Sequence, residues 1–176
     1  MDTRIELLKS QIRDVPDFPK PGIIFKDITP LLASPEAFRA ATELMVEHYQ
    51  PMKLDAVVAI ESRGFIFGST LALSLGIPLQ IVRKPGKLPY KTDAVEYTLE
   101  YGTDRLEMHQ DSLRQGDRVV VMDDLLATGG TAAATVQLVG TQGADVVECG
   151  FVIELAFLDG RAKVDPVLCF SLLSYS

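Results

Sequence analysis

Apolar residues follow two spacings along this chain, and the two alternate. Largely apolar runs at residues 55–60, 79–82, 119–122, 144–155 and 167–173 are typical of strands buried on both faces of a parallel sheet. Elsewhere, at residues 5–12, 35–45, 65–75 and 132–140, apolar residues recur every three or four positions, as on the buried face of a helix. The alternation predicts an α/β fold with a mainly parallel, open sheet flanked by helices.

Three stretches depart from this alternation. The prolines of residues 18–28 predict a loop or an extended segment, and its apolar side chains either pin it to the core or wall a flat apolar ligand. Period-two alternation within residues 94–108 predicts a hairpin arm, whose acidic residues on the simplest interpretation face solvent. Glycine and proline predict a turn at residues 160–166, and the first helix is expected to end near Pro16.

The most informative stretch is the apolar run that ends at Met122. Asp123 and Asp124 follow it, at the carboxyl end of a predicted strand, where open α/β sheets place their ligands. A turn from residue 127 to residue 131 then leads into a helix, whose free N–H groups favour a phosphate. No Lys follows Gly130, so this is not the common P-loop. Acids beside a phosphate cradle fit a ribose 5-phosphate, although a lone Asp-Asp pair would more simply be a capped turn without a ligand.

A second strand–turn–helix carries Glu61, Ser62, Arg63 and Gly64 at its turn. Backbone amides, a hydroxyl and a guanidinium together suit a diphosphate. The alternative is a surface arginine at a helix start, a position that the helix dipole disfavours for a cation.

A basic loop follows the predicted strand at residues 79–82. It carries four cations together with proline and glycine, and these cations are Arg83, Lys84, Lys87 and Lys91. The loop is either a solvated connection or a segment that closes over an anionic substrate, and its place after a core strand favours closure.

The stretch VVVMDDLLATGGT resembles the 5-phosphoribosyl diphosphate (PRPP) signature of the type I phosphoribosyltransferases, and its wording is nearest to the adenine-specific members. The resemblance implies a small hood over the carboxyl edge of the sheet, formed by about residues 1–33 with contributions from the C-terminal part. It also implies transfer of the 5-phosphoribosyl group of PRPP to adenine, giving AMP and diphosphate. Mg²⁺ is the implied cofactor, carried by PRPP and near Asp123 and Asp124.

Further motifs extend this resemblance over residues 18–174, and the roles below are those that it implies. Hypoxanthine-guanine members carry an acid/base Asp where this chain has Ala127, so Glu100, in the motif Leu-Glu-Tyr-Gly, is the implied proton-transfer group toward adenine. ESRGF resembles the pyrophosphate loop, in which members can hold a cis bond at the position of Glu61-Ser62. FPKPGIIFKDI resembles the adenine-side hood.

The resemblance also implies which residues contact each part of the ligands. For ribose and phosphate these are Asp123, Asp124, Ala127, Thr128, Gly129, Gly130 and Thr131. For diphosphate they are Glu61, Ser62, Arg63, Arg83, Lys84 and Lys87, and for adenine they are Ile24, Phe25, Lys26 and Leu155. Leu155 is equally well an ordinary core residue.

Length and charge limit the classes of protein to which this chain can belong. A chain of 176 residues suits one domain, here residues 1–176. The formal net charge of −7 argues against nucleic-acid or anionic-membrane partners, and the two cysteines are expected to be buried, reduced thiols. We expect a cytoplasmic protein. The resemblance suggests a homodimer, with Phe67, Leu71 or nearby apolar helix surface as candidate contacts.

Three alternatives stay open at this point. The nearest is a phosphoribosyltransferase for another base, xanthine or a pyrimidine. The second is a PRPP-sensing regulatory protein on the same fold, although such a protein usually needs a nucleic-acid surface that this acidic chain lacks. The third is a generic nucleotide-binding domain, in which the doubled acids and the ESRG turn would have no common purpose.

Overall fold

The computed structural model describes residues 2–98 and 102–176, and these contain nine strands and six α-helices. The strands are β1 (Arg13–Pro16), β2 (Ile24–Asp27), β3 (Ala56–Ile60), β4 (Leu79–Val82), β5 (Thr92–Thr98), β6 (Thr103–His109), β7 (Arg118–Leu126), β8 (Asp145–Leu155) and β9 (Leu168–Tyr175). The helices are α1 (Thr3–Ser10), α2 (Thr29–Ala33), α3 (Pro35–Tyr49), α4 (Gly64–Leu75), α5 (Gly130–Thr141) and α6 (Gly160–Val164). Short 3₁₀ turns occupy Gln50–Met52 and Ala156–Leu158.

A five-stranded parallel sheet in the order β4-β3-β7-β8-β9 forms the centre of the fold. Neighbouring residues of its strands alternate between two buried clusters. Val57 and Val120 belong to a cluster that contains residues of helices α1 to α4, whereas Val58 and Val121 belong to a cluster that contains residues of helices α5 and α6 and the β5–β6 hairpin. Helices therefore cover both faces, which explains the continuous apolar runs, and the predicted α/β fold is confirmed.

Two antiparallel pairs lie outside this sheet. Strand β5 pairs with β6, as predicted for the hairpin arm. Strand β1 pairs with β2 and places the extended part of the 18–28 segment beside residues 13–16. The expectation that the first helix continues to the region of Pro16 is wrong: α1 ends at Ser10, because the residues near Pro16 are held in this β1–β2 pair.

Two further boundaries differ from the prediction. Strand β7 does not end at Met122 but continues through both acids to Leu126, because β8 is long enough to pair with it there, Leu125 with Ile153. The predicted turn at residues 160–166 contains helix α6, which buries Val164 in the core.

The prediction that Phe67 and Leu71 face a second subunit is wrong. Each is only 1% exposed within a single chain, and the Phe67 ring packs edge-on against Phe38 with centroids 5.8 Å apart. Helix α4 is apolar on most sides, so its sequence did not reveal which face meets its own core. Both cysteines are free; Cys149 is buried as predicted, whereas Cys169 is half-buried. Among the described residues no helix combines the length and the apolar character needed to cross a bilayer.

Candidate active site

The turn between β7 and α5 forms a small phosphate-sized recess of about 80 Å³. Gly129 precedes the helix with a φ of 80°, a left-handed conformation that favours glycine. The first N–H groups of α5, beginning at Gly130, have no carbonyl partner within their helix and are available to an anion. The recess is lined by Asp123, Leu125, Leu126, Ala127, Thr128, Gly129, Gly130, Thr131, Ala132 and Phe151. The structure thus brings the predicted phosphate-binding residues together in one place.

The two acids lie in β7 immediately before this turn, in unlike surroundings. Asp124 is buried and accepts a hydrogen bond from Nε of Arg63 at 2.5 Å. Asp123 is half-buried, and its Oδ1 accepts the backbone N–H of Asp124 at 2.8 Å. Burial, together with the charge of Asp124, raises the pKa of Asp123 well above its usual range. Partial burial works to lower the pKa of Arg63, but its hydrogen bond to Asp124 and the charges of nearby carboxylates together outweigh this, and the pKa is raised.

The β3–α4 turn lies against these acids because β3 pairs directly with β7. Gly64 makes this approach close: a Cβ there would lie 2.8 Å from the carbonyl oxygen of Met122 and 2.9 Å from Oδ1 of Asp123. The Glu61–Ser62 peptide bond is cis, as the resemblance implied. A cleft of about 450 Å³ opens above the turn and is lined by Glu61, Ser62, Arg63, Lys84, Lys87, Tyr97, Asp104, Leu106, Asp123, Asp124 and Thr131.

Glu61 gathers positively charged neighbours at this cleft. Its buried carboxylate accepts hydrogen bonds from Arg83 Nε at 3.0 Å, from the backbone N–H of Lys84 at 2.9 Å, and from the Lys87 ammonium. Burial works to raise the pKa of Glu61, but these three hydrogen bonds outweigh it and hold the pKa below its usual value. Within the predicted diphosphate site, Glu61 is therefore the anion that holds the charged groups of Arg83 and Lys87 together.

The hairpin contributes two cleft residues that the sequence did not single out. The hydroxyl of Tyr97 lies 3.2 Å from Oγ1 of Thr131 and donates to Oδ2 of Asp104 at 3.3 Å. Asp104 also accepts from the Lys84 ammonium at 3.1 Å. The hairpin is thus joined to the predicted phosphate loop, residues 127–131, and to the basic loop. Alternation along β5 and β6 showed that these residues share a strand face but gave no sign of what that face meets.

An apolar pocket of about 420 Å³ corresponds to the predicted adenine site. Its lining comprises Gly22, Ile23, Ile24, Lys26, Leu155, Phe157, Leu158, Tyr175 and Ser176. The predicted Ile24, Lys26 and Leu155 are thus brought together, and exposed apolar side chains such as Phe157, 65% exposed, were missed. Phe157, an aromatic residue two positions after Leu155, was the feature of the sequence that could have indicated this part of the lining.

Phe25 is not part of this lining. Its ring lies edge-on to Phe18, with centroids 5.2 Å apart, and 5.7 Å from the Arg63 guanidinium. It therefore lies toward the diphosphate cleft, and its stacking on adenine stays a prediction. Glu100 lies outside the described residues, so its predicted role also stays a prediction.

The described residues contain no cluster of three or more histidine, cysteine or acidic side chains that could hold a metal ion by themselves. The cleft instead offers the carboxylates of Asp123 and Asp124 beside the predicted diphosphate site. Mg²⁺ commonly binds through one or two carboxylates together with substrate phosphates. The acid pair fits a magnesium ion that arrives with a diphosphate.

Comparison with known proteins agrees with this arrangement. The family model described as the phosphoribosyl transferase domain matches residues 27–171. The adenine phosphoribosyltransferase of Syntrophotalea carbinolica is 54% identical over 171 residues, which cover 97% of this chain and 100% of that protein. That of Roseiflexus sp. is 55% identical over 168 residues, which cover 96% of this chain and 98% of that protein.

Solved structures show the same relationship. The adenine phosphoribosyltransferase of Thermoanaerobacter pseudethanolicus superposes with a TM-score of 0.95 at 50% identity, covering 97% of this chain and 99% of that one. The enzyme of Saccharomyces cerevisiae, solved with an imino-altritol bisphosphate and adenine, gives a TM-score of 0.94 at 39% identity, covering 98% and 100%. The chain described here belongs to the adenine phosphoribosyltransferase family, a family of transferases of purine salvage.

Proposed function

We propose that this chain transfers the 5-phosphoribosyl group of PRPP to adenine in the recess, the cleft and the apolar pocket described above, giving AMP and diphosphate. One observation carries the proposal: the β7–α5 phosphate recess, the acid pair and the cation-lined cleft share the carboxyl edge of neighbouring strands. A molecule that joins a 5-phosphate, a ribose and a diphosphate matches that order of sites. The apolar pocket beside Leu155 then receives the base. That the yeast relative was solved with adenine supports adenine as that base.

The residues of the cleft act on the charge that moves during the reaction. As the bond to diphosphate breaks, negative charge grows on the leaving group, and Arg63, Arg83, Lys84 and Lys87 stabilise it. Positive charge grows on the ribose ring, where the carboxylates of β7 hold the hydroxyls and favour a cationic sugar. The phosphate loop fixes the other end of the ribose, so that the base and the anomeric carbon meet in line. Closure of the basic loop excludes water, which would otherwise hydrolyse PRPP.

Two further groups complete the proposal. Glu100 exchanges a proton with the imidazole edge of adenine, a role that suits a carboxyl group with a raised pKa. Asp123 and Asp124 would hold Mg²⁺ that PRPP carries, and the ion when bound neutralises diphosphate charge.

We also propose that the chain is a single catalytic domain that works as a homodimer in the cytoplasm. The two free cysteines support a reducing compartment, since such compartments keep thiols unpaired. The homodimer rests on the family resemblance, and its interface lies away from the buried Phe67.

Incubation of the purified protein with Mg²⁺, PRPP and one base at a time tests the proposal. We expect AMP and diphosphate from adenine, and a competition assay with xanthine or uracil present should still yield AMP as the main product. Efficient use of another base would redefine the substrate. Tight PRPP binding without turnover of any base would instead favour the regulatory alternative.

A further inference from the structure

Gly160, the first residue of α6, touches the backbone of the phosphate loop. A Cβ built on Gly160 would lie 2.3 Å from the carbonyl oxygen of Ala127 and 3.1 Å from the backbone nitrogen of Gly129. A Cβ built on Gly129 would in turn lie 2.2 Å from the carbonyl oxygen of Gly160. Two backbones therefore pack directly on each other at the loop that is proposed to hold the 5-phosphate.

Space, and not conformation, requires glycine at position 160. The residue begins a helix, whose dihedral angles any residue can adopt. The nearest atom that a side chain would meet, the carbonyl oxygen of Ala127, belongs to the main chain and cannot rotate away. Cδ1 of Leu126, 3.0 Å from that Cβ, is the one close side-chain atom and can adjust. An added methyl group must therefore displace either the phosphate loop or the segment that carries Gly160.

An ion pair opposes the second of these displacements. Glu154, buried at the end of β8, accepts from Nε and from a terminal nitrogen of Arg161, each at 2.6 Å, and from the Ser171 hydroxyl at 2.8 Å. The strand pairing sets Glu154 opposite Leu126, the residue just before the phosphate loop. We name the segment from Glu154 to Arg161 the 154–161 turn. Its two ends are joined by this ion pair, and the pairing of Glu154 with Leu126 anchors it beside the loop.

The same turn also lines the adenine pocket. Leu155, Phe157 and Leu158 contribute to that pocket, and Gly160 follows two residues later. The middle of the 154–161 turn thus lines the proposed adenine pocket, and its end, at Gly160, contacts the phosphate loop.

We infer that Gly160 is a positioning residue for the phosphate loop, held in place by the ion pair of Glu154 and Arg161. The inference rests on the proposed function, because it assumes that residues 127–131 bind the 5-phosphate of PRPP and AMP. Because the 154–161 turn is anchored, a larger residue at position 160 should displace the phosphate loop. A substitution at position 160 should therefore weaken binding of the phosphate more than binding of the base.

Calorimetric titration with AMP and with adenosine separates these contributions, because the two ligands differ only in the phosphate. We expect Gly160→Ala to weaken AMP binding at least tenfold while adenosine affinity changes less than threefold. Gly140→Ala is the matched control, since this glycine lies in α5 and an added Cβ there meets nothing within 4 Å. The control should bind both ligands as the unsubstituted protein does.

Arg161→Lys provides a second variant should Gly160→Ala fail to fold. It keeps the charge but loses the two-pronged hydrogen bond to Glu154, so the turn gains freedom and AMP binding should weaken three- to tenfold. An equal loss for AMP and adenosine, or no loss for either, would overturn the inference while leaving the proposed function intact. If the unsubstituted protein binds AMP no better than adenosine, the proposed phosphate site itself is wrong, and the inference falls with it.

Discussion

Replacement of Asp124 with asparagine should weaken PRPP binding far more than it weakens the fold. Asparagine keeps the shape of the side chain and one oxygen that can accept a hydrogen bond from Arg63, but it removes the charge. In the proposed complex that charge faces the ribose hydroxyls, directly or through Mg²⁺. The substitution therefore tests whether the acid pair holds the sugar.

The expected magnitude follows from the surroundings of the two side chains. A hydrogen bond to a charged group contributes about 1.5–3 kcal/mol, which corresponds to a roughly 10- to 150-fold rise in the dissociation constant for PRPP. The fold loses less, because the Arg63 side chain is 46% exposed and water can solvate it once the charge of Asp124 is gone. We expect a stability loss of about 1 kcal/mol or less, or roughly 2–4 °C in the melting temperature.

Titration with Mg²⁺ and PRPP measures the first effect, and thermal unfolding without ligand measures the second. Asp111→Asn is the matched control, since Asp111 is exposed and lines a cavity with Asp55 and Pro78 at the amino ends of β3 and β4. A dissociation constant for PRPP within twofold of that of the unsubstituted protein would refute the assignment of Asp124 to the sugar.

Three further outcomes test other parts of the site. Glu100→Gln should lower turnover by about 10²–10⁴-fold with little change in PRPP affinity, measured by steady-state kinetics; unchanged turnover would remove Glu100 from proton transfer. Asp123→Asn should abolish most activity yet raise the melting temperature at neutral pH. Folding raises the pKa of the Asp123 carboxyl, so this group destabilises the fold as pH rises from its unfolded pKa through its folded pKa. A lower melting temperature of the variant would contradict this reasoning. The pKa of Glu154 is lowered by folding, chiefly through its hydrogen bond to Arg161, so its stabilisation is present above about pH 4.5 and is lost as pH falls through the lowered pKa. Arg161→Met should cost about 2 kcal/mol at neutral pH, and this difference should shrink in acid melts; a constant difference would show that the pair does not act through charge.

The parts of the fold and site that the sequence predicted depend on neighbouring residues. Consecutive valines in β3 and β7 specify strands covered on both faces, and a glycine turn after them specifies where a helix begins. These signals lie within about fifteen residues of one another, so they could be interpreted without knowledge of the tertiary structure. The turns at residues 127–131 and 61–64, and their predicted ligands, were identified in this way.

The parts that were missed depend on contacts between distant segments. The hydroxyl of Tyr97 meets Thr131 across 34 positions, and Glu61 meets Lys87 across 26. Thr131, Glu61 and Lys87 were predicted as site residues, but nothing local indicated these partners, and nothing local distinguished Tyr97 from other residues of a solvated strand. The inner face of α4 was assigned wrongly for a related reason: a helix that is apolar nearly all round does not show which side, such as that of Phe67, meets its own core.

In the described part of the cleft, the charges proposed to bind PRPP already have partners within the protein. Arg63 is paired with Asp124, and both Arg83 and Lys87 are paired with Glu61. In the proposed complex PRPP would bind by exchanging partners: its diphosphate would replace carboxylates as the anion near the cations, and Asp123 and Asp124 would hold its ribose and Mg²⁺ in place of Arg63. Each exchange replaces one ionic contact with another, so the net gain in binding free energy is smaller than the number of contacts with PRPP suggests. The benefit is order, since the cations stand in position before substrate arrives and lose little side-chain freedom when diphosphate leaves the sugar.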